Sequence, residues 1–227
     1  MLKTSRNNPL GRISIDWLAL CFYKLFRFGK TFKFQGKTYR YFYHIYNRTV
    51  ASERIVEIPI AKKILDDHIG KEILEVGNVM PHYYKIEHDV LDKYEKARGV
   101  INEDVISFNP KKKYDLIMSV STLEHVGFSY GENKDTDKFL KGVNNLKKSL
   151  KPNGLLFATF PLYLTPGIDR LFKANKMPFE EEYFMKRISY LNEWRQISKK
   201  ESKKERRYDS RFANANILYL GYYRKNN

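Results

Sequence analysis

The sequence is poor in cysteine and in long apolar runs, and each shortage excludes a class of protein. Among 227 residues there is one cysteine, Cys21, so neither a disulfide framework nor a zinc knuckle can form within one chain. A reducing, cytoplasmic compartment is therefore expected. A transmembrane helix needs about 18 uncharged apolar residues in succession. The longest candidate, residues 13–28, is interrupted by Asp16, Lys24 and Arg27.

The chain also lacks the short motifs of several large enzyme classes. It contains no GxxxxGK[ST] phosphate loop and no HExxH zinc motif. A GxGxxG loop after the first strand is missing too, which argues against a dinucleotide oxidoreductase. No metal site is expected.

Acidic residues are scarce relative to basic ones. The sequence has 42 Lys and Arg against 26 Asp and Glu, a formal net charge of +16. Such an excess favours approach to a polyanion, whether nucleic acid, anionic lipid headgroups or a phosphorylated substrate. Solvated basic faces on an ordinary soluble protein explain it equally well.

Residues 1–60 are aromatic and basic, and we expect them to form an extension to a second unit, residues 61–227. Three- and four-residue spacing of apolar side chains predicts an amphipathic helix that contains Trp17, Leu18, Cys21, Phe22, Leu25 and Phe28. Alternation around Gln35-Gly36 predicts a hairpin over Thr31 to His44. The pattern from Ser52 to Ile69 predicts two helical pieces with a kink at Pro59.

From Glu72 onward, strand and helix patterns alternate. The strand candidates are Glu72 to Val76, Asp89 to Leu91, Val100 to Ile101, Tyr114 to Val120 and Leu155 to Phe160. A helix over Asp137 to Leu150 separates the last two and makes a right-handed parallel crossover. The expected fold class is a Rossmann-like, doubly wound, mostly parallel α/β sheet. Glu193 to Ser198 and Ala215 to Tyr223 are expected to add an antiparallel C-terminal edge hairpin.

Polar residues follow the apolar runs where a ligand would bind. Glu75 stands before Gly77 at the end of the first strand, and a glycine there lets the backbone approach a ligand closely. Asp92 follows the second strand, where an acid can accept both hydroxyls of a ribose. Asp104 follows the third, where a carboxylate or backbone amide can read the amino group of an adenine. Together these positions predict a nucleotide-like cofactor.

With these segments in this order, residues 64–224 resemble the class I S-adenosylmethionine-dependent methyltransferases. The resemblance is best at ILEVGN, INEDVISF, KYDLIMSVSTLEHVG and LKPNGLLFATFP. It looks most like the small-molecule type with an "leHv" segment after the fourth strand. The resemblance implies S-adenosyl-L-methionine as the cofactor, a methyltransferase activity and a Rossmann-like fold.

The same resemblance implies roles for individual residues. Glu75 and Gly77 would face the methionine part of the cofactor, Asp92 the ribose and Asp104 the adenine. The expected cofactor-binding set is completed by Asn78, Val105 and Ser121.

Two features depart from the family's pattern. The usual GxGxG loop is reduced to residues 77–81, which contain no second or third glycine. The interval from Gly77 to Asp92 is short, so the first helix is expected to be curtailed or absent.

The candidate catalytic residue is His125. Methyl transfer displaces an activated sulfonium carbon, so the protein mainly aligns the nucleophile, and a base is needed only where the acceptor loses a proton. A neutral imidazole can accept a hydroxyl proton near pH 7. Alternatively, His125 packs against the cofactor or caps a helix.

The expected acceptor is a hydroxyl or carboxyl of a small or glycan-like molecule of anionic character. The Asp/Asn-Pro-Pro-aromatic motif of amino-methylating nucleic-acid enzymes is missing, which disfavours a base methylase. An RNA-directed methyltransferase is one alternative, because aromatic and basic residues interleave over residues 30–48. A non-catalytic scaffold with a vestigial cofactor pocket is another, held on an anionic membrane by residues 13–30. The N-terminal helix is equally compatible with a lid over the acceptor site.

Overall fold

Eight strands form one twisted sheet in the computed structural model, which describes residues 9–128, 135–205 and 207–227. Side chains are described from Asp16 onward. The strands are β1 Thr31–Phe34, β2 Lys37–Arg40, β3 Ile73–Val76, β4 Asp89–Leu91, β5 Val100–Ile101, β6 Tyr114–Val120, β7 Leu150–Pro161, β8 Glu181–Arg187, β9 Trp194–Ile197 and β10 Ile217–Arg224. The helices are α1 Pro9–Phe26, α2 Arg54–Asp66, α3 Thr136–Lys148, α4 Pro166–Lys173 and α5 Lys199–Ser202.

The strand order of the large sheet is β5-β4-β3-β6-β7-β10-β8-β9. The pairs β5–β4, β4–β3, β3–β6 and β6–β7 are parallel. The pairs β7–β10, β10–β8 and β8–β9 are antiparallel. The order reverses between β3 and β6, and ligands bind outside the carboxyl ends of strands at such a switch point. The predicted Rossmann-like fold class is confirmed.

Most of the strand predictions are confirmed in detail. β4, β5 and β6 have the predicted bounds, β3 begins one residue later at Ile73, and β7 is longer, from Leu150 to Pro161. The helix between β6 and β7 is α3, whose first turn is capped by Asp135 accepting from the Asp137 amide. The helix expected after β3 is reduced to a three-residue 3₁₀ turn, Met80–His82.

The predicted pairing of the C-terminal strands is wrong. β9 and β10 do not pair with each other, because β10 lies between β7 and β8 and the edge hairpin is β8–β9. β8 was missed because its sequence, EEYFMKR, has little apolar alternation. Without β8, the sequence pattern leaves β9 as the nearest partner for β10, because strands that follow each other in the chain commonly pair.

The prediction of two helical pieces around Pro59 is also wrong, because a single helix, α2, runs from Arg54 to Asp66 through Pro59. A proline cannot donate to the carbonyl four residues before it. That carbonyl belongs to Ile55, and it accepts from the Phe42 amide at 3.1 Å. A tertiary hydrogen bond thus replaces the one that the proline removes.

Two apolar layers cover the sheet, one on each face. One layer contains buried residues of α1, the β1–β2 hairpin and α2, and the other contains those of α3 and α4. The hairpin has the predicted turn, with Gln35 and Gly36 both at positive φ. The division into residues 1–60 and 61–227 stays a prediction; residues 1–8 lie outside the described residues, and α2 spans the proposed boundary.

Asn192 joins the segment before α2 to the β8–β9 hairpin. Its side-chain amide donates to the carbonyls of Thr49 and Ser52, at 3.2 and 2.8 Å, and its oxygen accepts from the Trp194 indole at 2.8 Å. Asn192 is fully buried and has a φ of +54°. Asparagine tolerates this conformation better than most residues.

Asn192→Gly is expected to lower the free energy of unfolding by about 2 kcal/mol or more, because it leaves the buried Trp194 indole N–H without its acceptor and removes the shorter hydrogen bonds to the Thr49 and Ser52 carbonyls. Urea unfolding measures the loss. The control is Asn175→Gly, an exposed residue at a similar φ of +56°, which should change stability by about 1 kcal/mol or less. Equal losses in the two variants would show that the Asn192 hydrogen bonds contribute nothing.

Candidate functional site

A cavity of about 780 Å³ lies at the carboxyl ends of β3, β4, β5 and β6. This is the edge at which the strand order reverses, so the fold itself places the cavity. Five of the sequence-predicted residues line it: Gly77, Asp92, Asp104, Val105 and His125. Other residues, which no sequence motif singles out, also line it, among them Tyr94, Glu95, Ile106, Thr122 and Phe128.

Asp92 ends β4 and shapes the turn that follows it. Its Oδ1 accepts from the amides of Tyr94 and Glu95, at 2.9 and 2.8 Å. Its Oδ2 accepts from the Asn78 amide at a longer 3.4 Å. The turn therefore fixes the carboxylate through one oxygen and leaves the other weakly engaged beside the cavity.

Asp104 lies on the same cavity after β5. Its Oδ1 accepts from the Ile106 amide at 2.9 Å, and its Oδ2 lies 3.0 Å from the Lys93 ammonium. Partial burial opposes ionisation, but the Ile106 amide and Lys93 outweigh it and lower the pKa of Asp104 below its ordinary value. A charged acceptor thus stands at this end of the cavity at neutral pH.

Gly77 makes the turn between β3 and the loop that follows. Its φ is +90°, and a Cβ at this position would lie 2.1 Å from the Thr122 hydroxyl oxygen. Its amide donates to the Leu91 carbonyl at 2.8 Å. The turn after β3, the end of β4 and the segment after β6 therefore meet closely only because residue 77 has no side chain.

Glu75 and Asn78, two of the predicted cofactor-binding residues, do not line the cavity. Glu75 is fully buried and accepts from the amides of Val79 and Met80, at 3.0 and 2.7 Å, while its second oxygen lies 2.8 Å from His88. The Asn78 side chain donates to Glu95 at 2.7 Å. Both hold together the loop that replaces the curtailed first helix.

Ser121, the remaining predicted cofactor-binding residue, points toward α2. Its φ is +41°, and its hydroxyl donates to Oε1 of Glu57 at 2.7 Å. The Thr159 hydroxyl donates to the same oxygen at 2.7 Å. Thr122, the next residue, takes the place on the cavity wall.

Three buried glutamates surround one arginine next to this position. Glu53, Glu57 and Glu124 each have one carboxylate oxygen without a hydrogen-bond partner in the described part of the chain. Arg54 donates to the Val120 carbonyl at 3.0 Å and lies 3.7 Å from Glu57. Three carboxylates and one guanidinium cannot all be charged cheaply in a buried space.

Burial decides the protonation of this cluster. Burial, followed by repulsion from Glu57, raises the pKa of Glu53 to about 7. Burial also raises the pKa of Glu124 well above its ordinary value. At least part of the cluster therefore carries a proton at neutral pH.

His125 lies on the cavity wall at the end of a 3₁₀ turn, Leu123–His125. Its side chain is 60% exposed, and Nε2 lies 3.8 Å from Glu124. The protein atoms around the imidazole and the nearby charge of Arg54 lower the pKa of His125. At pH 7 the ring is mainly neutral and can accept a proton.

A GxSxG sequence, the pattern of the α/β-hydrolase nucleophile elbow, occurs at residues 127–131. That elbow needs a strand leading directly into a sharp turn and a helix. Here the 3₁₀ turn Leu123–His125 separates the end of β6 from Gly127. The serine of the pattern lies outside the described residues.

Comparisons with known proteins give weak likenesses only. No family model matches the chain, and no curated protein matches it. The N-methyltransferase NodS from Bradyrhizobium japonicum WM9 is 13% identical, with a TM-score of 0.45 over 77% of this chain and 97% of that chain. A SAM-dependent methyltransferase from Archaeoglobus fulgidus gives 13% and 0.46, over 76% and 94% of the two chains. The sugar N-methyltransferase KedS8 from a Streptoalloteichus species gives 12% and 0.38, over 74% and 87%.

The fold is Rossmann-like. The strand order β5-β4-β3-β6-β7, with its reversal between β3 and β6, shows this.

The protonated state of Glu53 makes the stability of the protein depend on pH. Because its pKa rises from 4.5 in the unfolded chain to about 7 in the folded one, folding takes up a proton between these values. The stability that this carboxyl contributes is fully present below pH 4.5 and is lost as pH rises to 7. Glu53→Gln, which imitates the protonated form, should remove this slope, a difference on the order of 2 kcal/mol at pH 8.

Urea unfolding from pH 5 to pH 8 checks this expectation. The exposed Glu87→Gln serves as the control and should follow the pH profile of the unaltered protein. A Glu53→Gln profile parallel to the unaltered one would mean that Glu53 is ionised in the folded protein.

Proposed function

We propose that the protein is an S-adenosylmethionine-dependent methyltransferase with a small-molecule acceptor. One observation carries the proposal: Asp92 and Asp104 lie after the carboxyl ends of two neighbouring parallel strands, β4 and β5, and line one cavity at the switch point. Two carboxylates in this position suit the ribose hydroxyls and the amino group of a nucleoside. The cavity volume of about 780 Å³ falls within the range of small-molecule and cofactor sites.

The residues present fit the cofactor at its nucleoside end. Oδ2 of Asp92 would accept from the ribose, and Asp104 together with the backbone at Val105 would hold the adenine. Gly77 would allow close backbone approach, as its positive φ and lack of a side chain permit. Glu75 acts indirectly, because it holds the loop amides of Val79 and Met80.

When bound, the cofactor supplies a methyl group on a positively charged sulfur, so the protein needs no strong electrophile of its own. The protein's part is to align the acceptor, exclude water and, for an acceptor that loses a proton, to take that proton. His125 is the candidate for this last role, since its neutral imidazole lies on the cavity wall.

We propose a hydroxyl or carboxyl of a small or glycan-like, anionic molecule as the acceptor. The excess of 42 basic over 26 acidic residues supports the anionic character. The RNA-directed alternative has less support, because Phe32, Phe34 and Tyr41 are buried in the core and offer no face for base stacking. Peripheral contact with a membrane through residues 13–30 is a separate proposal, since it concerns another surface.

Asp92→Asn tests the cofactor proposal. The amide oxygen still accepts from the turn at Tyr94 and Glu95, but the amide nitrogen cannot accept a ribose hydroxyl. We expect S-adenosylhomocysteine to bind the unaltered protein with a micromolar dissociation constant, and the variant about tenfold or more weakly, about 1.4 kcal/mol. Isothermal titration calorimetry measures both.

The control for this experiment is Asp89→Asn at the opposite end of the same strand. Asp89 accepts from the Tyr114 hydroxyl at 3.0 Å and does not line the cavity. Its substitution should leave the affinity for S-adenosylhomocysteine unchanged. Absence of binding by the unaltered protein at millimolar ligand would overturn the methyltransferase proposal in favour of the scaffold alternative.

His125→Ala should lower kcat for methyl transfer about 10²- to 10⁴-fold if His125 accepts the proton. Transfer from labelled S-adenosylmethionine to a panel of hydroxy acids, sugar acids and sugar phosphates measures it. In the unaltered protein, the rate should rise with pH through the lowered pKa of His125 and level off by pH 7. A raised KM for the cofactor with kcat unchanged would assign His125 to cofactor packing instead, and His68→Ala, away from the cavity, is the control.

A further inference from the structure

Helix α1 is apolar on both of its sides. The side facing the protein presents Leu20 and Tyr23, which are buried in the core, and Arg27, just after the helix, is buried on the same side. The opposite side, continued by Phe28 just after the helix, presents the residues of the predicted apolar stripe. We call this surface the outer face of α1, and it consists of Trp17, Leu18, Cys21, Phe22, Leu25, Phe26 and Phe28.

The large side chains of the outer face are strongly exposed. Their exposed fractions run from 44% for Phe22 to 75% for Leu25. The rings of Phe22 and Phe26 are in contact, with centroids 5.3 Å apart, so the exposed surface is continuous along the helix. Soluble proteins rarely expose a contiguous apolar surface unless it binds something.

The helix is held firmly by its inner side, so its orientation is part of the fold. The Arg27 guanidinium lies 2.5 Å from the Glu193 carboxylate, and the Arg27 carbonyl accepts from the Tyr43 hydroxyl at 2.9 Å. The rings of Tyr23 and Tyr43 pack edge to face, with their centroids 5.4 Å apart. Turning the outer face inward would break these contacts and bury no comparable partner.

The outer face lies in a basic part of the chain, where two of the cations are paired with acids: Arg48 with Asp16 and Arg27 with Glu193. Residues 17–52 contain seven Lys or Arg and no Asp or Glu. Lys24 and Lys30 are exposed beside the apolar side chains, and the Arg40 guanidinium lies 5.8 Å from the Phe28 ring centroid. The surface therefore combines inserted apolar side chains with a cationic border.

We infer that the outer face of α1 docks the protein on an anionic phospholipid surface, with the helix lying in the membrane interface. Apolar insertion and attraction to anionic headgroups together give such helices their affinity. Within the described ranges, no helix has the length and apolarity of a membrane span, so the contact is peripheral. This inference goes beyond the proposed methyl transfer and does not depend on it.

Charge argues against the other occupants of this face. A symmetric contact between two copies would set the same cations opposite each other, in a chain with a net charge of +16. A lid over the cofactor cavity is not favoured either, because no described residue of α1 lines that cavity. An anionic surface would offset the repulsion that a symmetric dimer leaves in place.

Sedimentation with lipid vesicles tests the inference. The protein is mixed with phosphatidylcholine vesicles and with vesicles that contain about 30% phosphatidylglycerol, in low salt and in about 0.5 M salt. We expect binding to the anionic vesicles in low salt and little binding to phosphatidylcholine alone. The test variant is Leu25→Glu with Phe26→Glu, and the control is Ile69→Glu with Tyr190→Glu, two residues that are each 78% exposed elsewhere on the surface.

The test variant should lose vesicle affinity by about tenfold or more, while the control keeps it. The charge reversals Lys24→Glu with Arg40→Glu should weaken binding more than Lys141→Glu with Lys148→Glu on α3. All four variants should retain the unaltered protein's thermal unfolding midpoint within a few degrees. Their affinity for S-adenosylhomocysteine should also be unchanged. Vesicle binding is measured without this ligand, so it tests the membrane inference even if the protein binds no S-adenosylhomocysteine.

Three outcomes would overturn the inference. The first is equal vesicle binding by the test variant and its control. The second is a dimer, seen in analytical ultracentrifugation, that Leu25→Glu with Phe26→Glu dissociates without vesicle binding by the unaltered protein. The third is salt-sensitive binding of a homopolymeric RNA in the absence of any vesicle binding, which would make this a nucleic-acid surface.

Discussion

One buried oxygen atom, Oε1 of Glu57, positions the edge of the sheet at which the cavity opens. It accepts from Ser121 after β6 and from Thr159 within β7, each at 2.7 Å, and so ties α2 to the ends of two parallel strands. Arg54, one turn earlier on α2, adds a hydrogen bond to the Val120 carbonyl. The segment after β6, which carries Thr122 and His125 to the cavity, therefore depends on a helix that precedes the first strand of the parallel sheet.

Burying these charged groups costs free energy, and this cost explains why the pKa values of Glu53 and Glu124 are raised. Glu53, Glu57 and Glu124 are gathered around one arginine in a place without solvent. Burial keeps part of the cluster protonated, so the group holds the backbone through hydrogen bonds more than through net charge. A second buried carboxylate, Glu75, also holds backbone through hydrogen bonds. It accepts from two amides of the loop after β3, where the full helix that would pair such amides is missing.

Two separate surface regions carry the proposals made for this protein. The cavity lies at the switch point and presents Asp92, Asp104 and His125. The outer face of α1 is a separate surface, held through Arg27 and Glu193 to the β8–β9 side of the sheet.

The amino-acid pattern is enough to predict the parallel half of the sheet and the acids near its carboxyl edge. Buried strands such as β6 are apolar runs; Asp92 directly follows β4, and Asp104 comes shortly after β5 ends at Ile101. Three features depend on partners that are distant in sequence: β10 between β7 and β8 pairs Leu218 with Met185, α2 passes through Pro59 with Phe42 on the Ile55 carbonyl, and Ser121 turns to Glu57. Glu75 holds the nearby loop amides of Val79 and Met80, and a sequence pattern does not separate that role from contact with a ligand. The sequence also predicts the apolar stripe of α1, but not that this stripe faces outward. Periodicity gives the spacing of an apolar face, and tertiary packing decides which face of a helix is buried.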